Sequence, residues 1–136
     1  MSRRGRRGRQ EWVGQDCCYC GDLAQGMDHI APVSVFGEHN IQVPSCGDCN
    51  SVLGAIGALH VAWRVRVLYD RQSRRWSEAL AAPTWTPREL DALGPALRTF
   101  VEAMLTDSAN KRRRIAHIAA MVRATARLVK DPGEMP

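Results

Sequence analysis

Residues 17–50 read CCYCGDLAQGMDHIAPVSVFGEHNIQVPSCGDCN and hold all five of the chain's cysteines. Four of them form two identical turns, Cys17-x-x-Cys20 and Cys46-x-x-Cys49. Such a turn offers two thiolates at the bite a tetrahedral soft-metal site needs, and two turns close the site. The interval between the pairs, residues 21–45, is longer than the ~15–20 residues of common zinc ribbons, so it must carry structure of its own. Cys18 lies inside the first turn, and using it in place of Cys17 would break the x-x spacing. The quartet therefore predicts a structural zinc site made of Cys17, Cys20, Cys46 and Cys49. In loops of this composition, metal-binding free energy would also be folding free energy for residues 15–50.

The surroundings agree with metal rather than disulfides. No apolar run approaches the ~18 residues that span a bilayer. The Arg-rich start of the chain is followed by no apolar segment of the kind a secretory signal needs. The expectation is a cytoplasmic chain with reduced thiols, where paired Cys-x-x-Cys units bind metal. Its 136 residues correspond to one domain with a modest core.

The net charge of +5 conceals a sharp partition. Residues 1–10 carry five arginines and no acid, among them Arg3, Arg4, Arg6 and Arg7. Residues 11–63 carry six acids and neither Lys nor Arg, whereas 64–130 carry fourteen Lys/Arg against six acids. An acidic pocket suits a divalent cation, and basic flanks suit a polyanion such as nucleic acid. The arm serves either phosphate contact or solubility.

Organisation follows from periodicity. Residues 1–14 read as a basic flexible arm, 15–57 as the zinc-stapled module, 58–130 as a helical region packed on it, and 131–136 as a tail. Within the module, residues 15–45 show no helical period and read as short strands and loops, with a turn at Pro32. A short helix starts near Gly47 and weakens at Gly54 and Gly57. A longer helix, about 58–81, puts Val61, Val65, Leu68, Gln72, Trp76 and Leu80 on one stripe, and His60, Arg64, Arg71 and Arg75 on another. The second stripe is a candidate phosphate-contacting face through Arg64, Arg71 and Arg75. Thr86, Pro87 and Glu89 have the spacing of a capping box with Pro at the first helical position. Leu90, Leu93, Leu97, Val101 and Met104 then recur at helical steps, interrupted by Gly94-Pro95, which predicts a kink or break. A last helix, about 109–130, is expected to turn Ile115, Ile118, Val122 and Val129 inward and to leave Lys111, Arg112, Arg113 and Arg114 in water.

A zinc staple has no use for Asp28, His29 or Asn50, whereas phosphodiester hydrolysis does. It needs a base for the attacking water and a cation for the developing charge. His29 could be that base. Asp28 is a hard oxygen donor suited to Mg²⁺, and Asn50 offers a second, neutral oxygen.

At these residues the pattern C-x-x-C … D-H-x-x-P … N … C-x-x-C-N resembles the zinc-stapled HNH endonucleases, the ββα-metal class, over roughly residues 17–54. The segment WTPRELDALGPALR, residues 85–98, is similar to one in small bacteriophage-encoded HNH proteins. The resemblance implies an α+β, mainly helical chain: a treble-clef/ββα-metal zinc module followed by a helical C-terminal region. It implies His29 as general base and Asn40 as the residue that orients it. Asp28 and Asn50 are implied as ligands of a catalytic Mg²⁺ or Mn²⁺, the four cysteines as ligands of structural Zn²⁺, and DNA as substrate. His39 is an additional imidazole beside Asn40. The competing readings are a zinc-stapled nucleic-acid-binding protein without catalysis and an accessory factor docking on phage packaging proteins.

Overall fold

The computed structural model describes residues 12–29, 42–54 and 61–128. In chain order the elements are β1 (Gly26–His29), β2 (Gln42–Ser45), α1 (Gly47–Gly54), α2 (Val61–Arg75), α3 (Ser77–Leu80), α4 (Pro87–Asp91) and α5 (Pro95–Ala126). The architecture is α+β and mainly helical, with the cysteine module at its N-terminal end, as the sequence predicts. Residues 1–11 of the arm, Pro32, His39, Asn40, Gly57, His60 and Val129 lie outside the described residues.

β1 and β2 form a two-stranded antiparallel sheet pairing Gly26 with Ser45, Met27 with Pro44, Asp28 with Val43 and His29 with Gln42. Pro44 lacks a backbone donor, which a two-stranded sheet tolerates because each strand has a free edge. The Pro44 carbonyl instead accepts from the Cys18 amide at 2.9 Å, tying the first cysteine turn to the hairpin. An isolated bridge between Asp16 and Leu23 closes the other side of that turn. β2 leads directly into α1, so the second cysteine pair straddles a strand end and a helix start.

The core lies where the module meets the long helices. Tyr19, the four predicted ligand cysteines and Leu53 pack with Val65 and Leu68 of α2 and Ile118 of α5. The predicted α2 stripe is largely the buried one: Val65, Leu68 and Gln72 are inaccessible, and Trp76 follows them. Thr86 caps α4 with the expected reciprocal bonds to Glu89, and Pro87 opens the helix.

Gly94-Pro95 does break the chain, with Gly94 as the N-cap of α5 and Pro95 in its first turn. Beyond it the expectation needs correction. No separate helix starts at 109, because residues 96–126 contain neither Gly nor Pro and nothing ends the helix. The 32 residues of α5 would span about 48 Å at ~1.5 Å per residue. Its C-terminal half packs through Ile118, with Met121 and Val122 at the edge of the core. Its N-terminal half is less deeply covered: Val101, Met104 and Leu105 line a shallow pocket with Ala82, Pro83 and Trp85, and Leu97, Phe100 and Met104 are exposed. Among the described residues no helix is long and apolar enough to cross a membrane.

Candidate metal centre

The first cysteine turn is built from local backbone bonds. The Gly21 amide donates to the Cys17 carbonyl at 2.9 Å, and the Cys17 amide donates to the Asp22 carbonyl. Closing the turn requires φ +76° at Gly21, a left-handed conformation that a Cβ disfavours. The second turn uses the start of α1. Cys46 precedes the helix and Cys49 lies in its first turn, with the Cys49 amide 3.4 Å from Cys46 Sγ. The Gly47 amide at the helix start donates to Gln25 Oε1 at 2.7 Å, and the Asn50 amide to the Cys46 carbonyl at 3.0 Å.

Sγ atoms of Cys17, Cys20, Cys46 and Cys49 all lie within 4.8 Å of one another, and all four residues are buried. A tetrahedral zinc with ~2.3 Å bonds to sulfur sets the sulfurs about 3.8 Å apart. Cys20 and Cys46 are separated by 3.7 Å. The donor set therefore fits a metal ion such as zinc. Mutual hydrogen bonding splits the thiols. For Cys17 the bond with Cys20 acts upward, but those with Cys46 and Cys49 outweigh it and bring the thiol down to about 7. Cys20 is also lowered, chiefly by Cys17, while Cys46 and Cys49 are raised by their bonds to Cys17 and Cys20. Cys18 is different. Burial, then the nearby Asp28 charge, pushes its thiol up to about 12, in keeping with its exclusion from the quartet.

Around the sulfurs lies a polar shell that sequence reasoning missed. Arg114 of α5 donates from Nε to Cys20 Sγ at 3.3 Å and from NH2 to Asp48 Oδ2 at 3.0 Å, with Cys46 Sγ at 3.7 Å. Asp48 also accepts from Gln72 at 2.8 Å and Arg75 at 2.6 Å. Burial alone would raise the Asp48 carboxyl, but these donors, Arg75 first, hold it below the ordinary carboxylate range. His117, three residues beyond Arg114, brings Nδ1 to 3.0 Å from the Tyr19 carbonyl in the first cysteine turn. The expectation that Arg114 stays in water is thus corrected: it lies one helical turn before Ile118, on the packed face of α5. That register was readable in the sequence; the sulfur partners, about seventy and ninety residues away, were not.

A second buried cluster lies on β1. Asp28 Oδ2 accepts from the Tyr19 hydroxyl at 2.6 Å and from Arg64 NH2 at 2.9 Å. Burial and then the bond to Asp28 raise the Tyr19 phenol, so it stays a donor. Arg64 is therefore not on a phosphate-contacting face: it is 5% exposed and neutralises Asp28. The position is dictated by the absence of any Lys or Arg in 11–63. A buried carboxylate there must find its cation on the next helix.

The other predicted site residues are dispersed. His29 ends β1 opposite Gln42, and its side chain lies outside the described residues, as do Asn40, Arg3, Arg4, Arg6 and Arg7. Asn50 is half-buried in α1. Arg71 is exposed and donates to the Val52 carbonyl at 3.4 Å. Arg75 is half-exposed and engaged with Asp48. No family model, curated protein or solved structure matches the chain.

Proposed function

We propose that the chain is a zinc-stapled HNH-type endonuclease that hydrolyses DNA phosphodiester bonds. One observation carries the reading. The cysteine quartet clamps a hairpin onto the helix that follows it, in the order β1, β2, α1. The Asp28-His29 step ends the first strand, and Asn50 follows the last cysteine in the helix. This is the order that the resembled family's motif implies. Zinc is the metal proposed for the sulfur site, because four thiolates at tetrahedral spacing suit it. In this reading His29 takes the proton of the water that attacks phosphorus, and Asn40 orients it.

The catalytic cation fits less well. Asp28 Oδ2 already accepts two hydrogen bonds, one from a guanidinium 2.9 Å away that would repel a divalent ion. As arranged, Asp28 is committed to Tyr19 and Arg64 rather than open to a cation. This same engagement of Asp28 favours a second reading, a zinc-stapled module that binds DNA without cutting it.

The test is nicking of supercoiled plasmid by the zinc-loaded chain with Mg²⁺ or Mn²⁺, beside an EDTA control and a binding assay on the same DNA. The nuclease reading expects cleavage that His29→Ala slows roughly 10²–10⁴-fold, the usual worth of a general base, with binding retained. Binding without cleavage under all metals would transfer the assignment to the second reading. Neither binding nor cleavage would overturn both.

A further inference from the structure

Arg114 is not one of the four sulfur ligands, yet it touches two of them. It lies 3.3 Å from Cys20 Sγ in the first turn and 3.7 Å from Cys46 Sγ beside the second. The same guanidinium bonds Asp48 Oδ2 at 3.0 Å and stacks 4.5 Å from the Trp76 ring centroid. Its side chain is 10% exposed. A planar cation held this way, between the two halves of a sulfur site, is more than a helix side chain resting on a core. A divalent ion bound by four thiolates leaves a buried doubly negative centre, which needs a nearby cation and hydrogen-bond donors. Arg114 supplies both, always charged and with a rigid fork.

From this we infer that Arg114 is an outer ligand of the metal centre, and that it makes metal loading and docking of α5 one linked equilibrium. The ion holds the first turn and the helix start together, and so sets both sulfurs within the span of one guanidinium. Linkage is reciprocal: whatever factor the metal adds to docking of α5, docking of α5 adds to metal affinity. The metal thus controls more than the loops of residues 15–50. It is the anchor on which the C-terminal half of a long helix closes, with His117 and Ile118 following Arg114 into place. The inference does not depend on the nuclease reading, since it concerns the sulfur site alone.

The full-length chain tests it with cobalt(II) in place of zinc as a spectroscopic probe. Arg114→Leu removes charge and fork, and Arg114→Lys keeps the charge alone. The expected results in Arg114→Leu are metal affinity about 10–100-fold weaker by chelator competition, and a sulfur-to-cobalt charge-transfer band at longer wavelength, because the sulfur lone pairs lose their donor. Amides in the C-terminal half of α5 should exchange faster even with metal saturated, and Arg114→Lys should fall between. Stripping metal from the unaltered chain should free the same amides. Should Arg114→Leu fail to fold, the band and affinity of Arg114→Lys decide. An unmoved band with affinity within about three-fold of the original, in a folded variant, would assign Arg114 to packing against Trp76 and overturn the inference. So would exchange in α5 that ignores metal removal.

Discussion

Asp28→Asn separates a structural carboxylate from a catalytic one. The substitution keeps the volume and keeps an oxygen for the Tyr19 hydroxyl, and it removes only the charge that faces Arg64 at 2.9 Å. At that distance and an effective dielectric near 20, the pair attracts by roughly 6 kcal/mol, most of it offset by the cost of drying both ions. The net worth of the intact pair is therefore small, but losing one member is not. Arg64 cannot escape by deprotonating. Burial works against its charge, yet Asp28 and Tyr19 hold its pKa above the ordinary value. Left buried without the carboxylate charge that offsets it, its guanidinium should destabilise the fold by about 3–5 kcal/mol, a large part of the ~5–15 kcal/mol typical of a domain. Urea unfolding of the metal-loaded chain measures this. Adding Arg64→Gln to Asp28→Asn should recover part of the loss, giving a coupling beyond about 1 kcal/mol in the double-mutant cycle. A cost below about 1 kcal/mol for Asp28→Asn would refute the reasoning and return Asp28 to the role of an available cation ligand.

Gly21→Ala should cost about 1–3 kcal/mol by urea midpoint, from a left-handed φ and a Cβ placed 2.8 Å from His117 Cδ2. Adding His117→Ala should recover only the contact part. Thr86→Ala removes the capping box of α4 and should cost about 1 kcal/mol by thermal or urea unfolding; no change would mean that α4 contributes nothing to the cooperative unit. Cys18 binds its proton more tightly folded than unfolded, with a pKa moved from 9.0 to about 12. Its contribution to stability is therefore present below pH 9 and lost as pH rises towards 12. Cys18→Ser should flatten the alkaline decline in a stability–pH series, and parallel curves would contradict that assignment.

Periodic and locally determined features were readable from the sequence. The cysteine spacing gave the sulfur cluster, Thr86-Pro87-x-Glu89 gave a helix start, and Gly94-Pro95 gave a break. Each is set by residues a few positions apart. The stripe of Leu90, Leu93, Leu97, Val101 and Met104 states which face is apolar, not how deeply it is covered, and Leu97 and Met104 stay exposed. Arg64 and Arg114 were misread for a related reason. An arginine among solvated neighbours looks wet until the acid or sulfur it serves is brought in from 36 or more positions away. The proposed chemistry was legible only as a motif, and His29 and Asn40 still rest on it.

The charge partition takes on a different meaning once the pairs are known. An acidic module between basic segments suggested a cation pocket flanked by a polyanion-binding surface. Within the described residues, three of the module's acids instead meet the arginines of the long helices. Asp28 pairs with Arg64, Asp48 with Arg75 and Arg114, and Asp22 lies 3.8–3.9 Å from Arg113 and Arg114. The asymmetry is in good part self-complementary: it directs the helical region onto the metal module and fixes its register there. These pairs differ in worth. Asp28–Arg64 and Arg114–Asp48 are largely dry, so salt screens them little, whereas Arg75 is 54% exposed at its side chain and Arg113 is 70% exposed. In the proposed DNA-binding role, cation surface would come from arginines that stay exposed, such as Arg71, and from the arm. A chain that used all of its basic residues to hold itself together would have none left for a phosphate backbone. Buried Arg64 and Arg114 are committed to folding, whereas exposed Arg71 keeps a cation at the surface, where the proposed contact with DNA would need it.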